Sequence, residues 1–106
     1  MKVRDYAPHH WFLFEKAGSL FLDVNCSHSA FGYTFMVELN AEEVARHRTE
    51  GRAFLEWLAG RIQDTAPILT VSTSPYKGRD VSGAYAEQSA LAVEAWRLSG
   101  ADKPKS

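Results

Sequence analysis

This sequence has little of what most directly announces a compartment or a chemistry. Its 106 residues include one cysteine, so no intrachain disulfide can form and a reducing compartment, the cytoplasm, is expected. No purely apolar run is longer than four residues, as in "WFLF" at 11–14, far short of the roughly 20 that a membrane-spanning helix needs. No membrane association is therefore expected. The opening "MKVRDYAPHHW" has basic residues but no apolar stretch behind them, so it is not read as a secretory signal. The sequon Asn25-Cys26-Ser27 is discounted on the same ground. Neither charge sign dominates: 12 Lys and Arg against 13 Asp and Glu leave a net charge of −1. Without a basic field to displace counterions, nucleic acid is a disfavoured partner. Internal repeats, heptads and low-complexity segments are absent.

What is present is ordinary globular material, of a length that makes one domain the default and leaves little room for a second core. We expect a single α+β domain over residues 1–100 and a disordered polar tail, "ADKPKS", over 101–106. Residues 10–16, "HWFLFEK", and 19–26, "SLFLDVNC", read as a hairpin. A two-residue turn would force Ala17 to positive φ, so a three-residue loop, Lys16-Ala17-Gly18, is the expected connection. That register pairs Phe14 with Leu20, Phe12 with Leu22 and His10 with Val24. It gathers Phe12, Phe14, Leu20, Leu22, Val24 and Cys26 on one face and leaves Trp11, Leu13, Phe21, Asp23 and Asn25 on the other. "FGYTFMVEL", 31–39, alternates as a third, half-buried strand.

Asn40 and Glu43 form a capping box, and Leu39 with Val44 a hydrophobic staple, at the head of a long helix ending near Thr65 before Pro67. Its apolar stripe carries Val44, His47, Gly51, Phe54, Leu55, Leu58 and Ile62, with Gly51 marking a close approach or a bend. "ILTVST", 68–73, reads as a possible fourth strand, and 74–80 as a loop. A second, shorter helix follows over Gly83–Leu98, capped by Ser82 and facing inward with Tyr85, Gln88, Ala92, Ala95 and Trp96. The expected architecture is α+β: an antiparallel sheet of three to four strands, the long helix on one face and the shorter C-terminal helix after it, in the order βββαβα.

Three groups of residues carry candidate chemistry. His10 and Cys26 are diagonal neighbours in the expected register, about 7–8 Å apart, and His28 follows two residues on. Imidazole and thiolate are zinc ligands, and a thiol beside a histidine is the minimal nucleophilic pair, so His10, Cys26 and His28 are both the metal and the catalytic candidates. The spacing matches no recognised zinc pattern, and a cysteine on an apolar strand face is more often a small buried hydrophobe. No cofactor is expected. Lys77 and Arg79 precede a helix start at Ser82, a possible anion-binding corner whose bland alternative is a solvated turn.

Trp11, Leu13 and Phe21 form the third group. In the expected register they point away from the long helix, and leaving each in water forgoes roughly 1.5–3 kcal/mol. Either the second helix covers them or another protein does, a partner or a second copy of this chain. The best reading is a small nonenzymatic protein-binding domain using this aromatic face, in which Trp is a favoured anchor. Toxin-neutralising immunity proteins share its size and class, though no motif connects them. The competing reading is a small metal-dependent or cysteine-nucleophile enzyme centred on His10, Cys26 and His28.

Overall fold

The computed structural model describes residues 1–28, 31–65 and 72–100, without the side chains of residues 27, 28 and 31. Four strands make one antiparallel meander: β1 (Lys2–Ala7), β2 (Trp11–Lys16), β3 (Ser19–His28) and β4 (Phe31–Glu38), neighbours in space in that order. Helices α1 (Ala41–Glu50), α2 (Arg52–Thr65) and α3 (Ser82–Leu98) follow. The class is α+β. The fourth strand is β1, whose mixed "KVRDYA" hides its alternation and which bulges between Val3 and Asp5 as it pairs with β2. Most of the expected strand 68–73 lies outside the described residues, and residues 72 and 73 are not in a strand.

The β2–β3 connection corrects the expected register. Lys16 pairs with Ser19, and Ala17 and Gly18 alone make the turn, at φ 51° and 83°. Two central residues at positive φ are what a type I′ turn requires, and its twist matches that of the flanking strands. A left-handed alanine costs about 1–2 kcal/mol. The gain is larger, because this register puts Leu13 opposite Leu22, Trp11 opposite Val24 and Phe14 opposite Phe21. Relative to β3, every β2 side chain therefore sits on the face opposite to the one expected.

Helices cover both faces. Trp11, Leu13, Leu22, Val24, Phe35 and Val37 meet Phe54, Leu55, Leu58 and Ile62 of α2 in the larger core. Phe14, Phe21 and Met36 meet Ala92 of α3 in the smaller one, with Phe12, Tyr85 and Val93 half-buried around them. Trp96 closes that side, edge-on to Tyr6 and Phe12 at 4.7 and 5.4 Å between ring centroids. Trp11, Leu13 and Phe21, the expected partner-binding surface, are thus 3%, 2% and 2% exposed and divided between the two cores. Of the residues expected to face inward from α3, Ala95 is exposed instead.

The expected long helix is two. The capping box forms as read, with Glu43 N–H donating to Asn40 Oδ1 and Asn40 N–H to Glu43 Oε1, each at 2.9 Å. At Gly51 the chain breaks, with φ 65° and ψ −141°, a region essentially reserved for glycine. Arg52, just past the break, pairs with Asp5 at 3.0 Å, donates to the Tyr6 carbonyl at 2.7 Å and lies over the Trp11 ring.

Between α2 and α3 the chain must pass from one face of the sheet to the other. Residues 79–82 do this along the β4 edge. Arg79 donates to Glu43 at 2.6 and 3.0 Å and to the Glu38 carbonyl at 2.9 Å. Asp80 Oδ1 accepts from Met36 N–H and Ser82 N–H, and Val81 N–H donates to the Met36 carbonyl. The edge strand is thereby partly covered. Val81 rather than Ser82 precedes the first turn of α3, and the cap is the Asp80 carboxylate.

Candidate functional site

The three-residue connection Pro8–His10 between β1 and β2 is held from β3. Asn25 N–H donates to the His10 carbonyl at 2.8 Å, and Asn25 Nδ2 donates to the His9 carbonyl at 3.0 Å. His9 sits at φ 66°, uncommon for a residue with a Cβ. This clamp leaves both imidazoles exposed at the end of the sheet, where each side of the sheet opens into a cleft. His10 therefore lies in a turn, just before β2.

The cleft on the α2 side, about 760 Å³, is lined by His9, His10, Cys26, Glu56, Gly60 and Gln63. It does bring His10 and Cys26 to one cavity. Cys26 itself is buried at 2% exposure, and burial pushes its thiol up, with the neighbouring Tyr33 hydroxyl acting the other way. A thiol kept protonated is a poor nucleophile. The His28 side chain lies outside the described residues. Among those described, no three His, Cys, Asp or Glu side chains assemble into a metal-binding group.

The basic corner also has internal duties. Arg79 is spent on Glu43 and the Glu38 carbonyl, Lys77 Nζ lies 3.4 Å from the Ser72 carbonyl, and the Ser82 amide is capped by Asp80. A carboxylate already occupies the place an anion would take at this helix start.

The cleft on the α3 side, about 750 Å³, has a different character. Phe12 and Phe14 of β2 and Ala90 and Val93 of α3 give it apolar walls; His9, His10, Glu94 and Arg97 form a charged, exposed rim. Within it stands Asp23, flanked across the sheet by Phe12 and Met36. Its Oδ1 is buried and makes no hydrogen bond among the described residues. Desolvation, with the nearby Asp80 charge adding, pushes the Asp23 carboxyl up to about 6. Relative to an ordinary aspartate, this disfavours ionising it in place by about 3 kcal/mol.

Nothing in the composition marked Asp23 out, but its setting did carry a signal. In "LFLDVNC" it is the one acidic residue inside an apolar strand, and it shares a face with Phe21. Alternation alone would put a hydrophobe there. Comparison with protein-family models, with curated proteins and with solved structures finds no match to this chain. No helix among the described residues is long and apolar enough to cross a membrane.

Proposed function

We propose that this domain works by binding, taking a side chain of a partner protein into the cleft between β2, β3 and α3, and that it does so in the cytoplasm. The observation that carries the reading is Asp23, whose buried Oδ1 has no partner among the described residues, in a cleft that also presents the apolar surface of Phe12, Phe14 and Val93. Leaving a buried polar group unmatched costs about 1–3 kcal/mol or more when it is charged, so its retention is best accounted for by an external partner. An apolar cleft with a few convergent polar groups, one of shifted pKa, is the usual form of a binding site. A protein partner is favoured by the rim, where charges of both signs surround an apolar centre as they do in protein interfaces. A single, buried free thiol suits a reducing compartment. The thiol-enzyme reading has weaker support, because Cys26 is buried and its thiol is held protonated.

The test fills the cleft. Ala90 is exposed on its α3 wall, so Ala90→Trp adds bulk there without entering either core. Used as baits in a lysate of the source organism, wild type and Trp57→Ala are expected to retain a partner that Ala90→Trp loses, with circular dichroism confirming that all three are folded. Retention of the same partner by Ala90→Trp would sink the proposal.

A further inference from the structure

We infer that the group this cleft receives is a cation, a primary ammonium or a guanidinium on an apolar stem, with Asp23 as its counter-ion. The inference rests on the binding reading above and specifies the chemistry of the ligand. An ionised carboxylate can only accept hydrogen bonds, and Asp23 is only half-buried on the cleft wall, so the complement of the carboxylate it presents there must be a donor. Cross-strand pairing on both sides of β3 holds the Asp23 backbone in the centre of the sheet, so the acceptor stands in a fixed place. A second carboxylate, Asp80, raises its proton affinity from a distance, and a positive charge relieves both that repulsion and the desolvation, which a neutral donor does not.

The walls fit the rest of such a ligand. Phe12 and Val93 offer apolar surface to a methylene stem, and aromatic rings attract a cation over their faces. The titratable and charged groups around Asp23 are His9 and His10 on the β1–β2 turn, Glu94 and Arg97 on α3, and Asp80 ahead of α3; Cys26 lies on the other face of β3. Arg97, the one guanidinium on the rim, forms no ion pair with Asp23. Among the described residues no cation is ion-paired with the carboxylate.

The experiment uses the full chain and two matched pairs of probes, followed by NMR. One pair is 2-phenylethylamine and its neutral isostere 2-phenylethanol; the other is a blocked tripeptide with a central arginine and its citrulline counterpart. The cationic members are expected to shift the resonances of Phe12, Asp23 and Val93 and to bind at least about tenfold tighter than the neutral ones at pH 7.5. Their affinity should fall at least about fivefold at pH 5, where a carboxyl titrating near 6 is mostly protonated. Asp23→Asn should abolish the preference. As a readout on the wild type alone, saturating amine should lower the pKa of the Asp23 carboxyl carbon by about one unit for a tenfold preference.

Equal binding of cation and isostere in the cleft, or an Asp23 titration untouched by bound amine, overturns the cation assignment and leaves the binding reading standing. No probe in the cleft overturns both. Binding of the amine without the arginine peptide sustains the cation and removes the protein as its source.

Discussion

Ala17 holds φ 51° in a two-residue turn where glycine would be unstrained. Ala17→Gly is therefore expected to stabilise the fold by about 0.5–1 kcal/mol, the strain relieved less the extra freedom of an unfolded glycine. Urea unfolding measures this directly, and a lower midpoint would contradict the turn geometry. Asp23 is the residue where stability and binding pull apart. Its folded pKa, about 6, lies above that of the unfolded chain, so between those values the folded state holds a proton that the unfolded state has released. Its protonated form favours folding at low pH, and that contribution is lost as pH rises through about 6. Asp23→Asn should thus be more stable than wild type at pH 8 by about 1–3 kcal/mol, with the difference shrinking as pH falls to 4. Denaturant melts at both values test it; a variant less stable than wild type at pH 8 would show that Asp23 is internally satisfied after all.

Among the elements, the segment 79–82 decides where α3 goes. Arg79 ties it to α1 through Glu43, which burial would push up but which the Arg79 guanidinium and the Asn40 amide hold below its ordinary range. With a depressed folded pKa, the stability that Glu43 contributes is present above the unfolded value and lost as pH falls through the folded one. Arg79→Ala is expected to cost about 1–2 kcal/mol near pH 7, a figure already reduced for partial exposure of the pair. The gap from wild type should narrow in acid, below about pH 4. A constant gap from pH 7 to 3 would mean that Arg79 acts through the Glu38 carbonyl alone. The hairpin and the helices contrast in how visible they were. Asn40 and Glu43 lie three residues apart, so their capping box is written locally and formed as read. "WFLF" is apolar at every position, so alternation within β2 cannot say which side it turns to α2, and the choice fell to the turn. Gly51 continues the apolar stripe in register, and periodicity alone does not report the positive φ that splits the helix there.

On the scale of the whole molecule, the sheet is sandwiched, with α2 on one face and α3 on the other. Trp11→Ala and Phe21→Ala, on opposite faces, should each destabilise by about 3–5 kcal/mol, as large aromatic truncations in a core do. Trp57→Ala, on the exposed side of α2, should cost less than about 1 kcal/mol. Thermal or urea unfolding ranks the three. If Phe21→Ala behaved like Trp57→Ala, the α3 layer would not be packed on the sheet. That layer also makes the cleft: without α3 across it, Asp23 would be a solvated acid on an open sheet, with an ordinary pKa and no cavity around it.

The chain's own sequence determined what depends on neighbours a few residues away: an α+β composition, β3 and β4 by their alternation, the α1 cap, and an amphipathic α3 with Tyr85, Gln88 and Ala92 turned inward. Only the tertiary structure decided which face of β2 meets α2, that Trp11 and Phe21 belong to different cores, and that Asp23 Oδ1, rather than the Cys26 thiol, lacks a hydrogen-bond partner among the described residues. The reason is one of range. Hydrogen bonding within a turn or helix is set by adjacent residues, whereas burial and electric field at a side chain come from elements far along the chain, here β2 and α3 closing over the middle of β3.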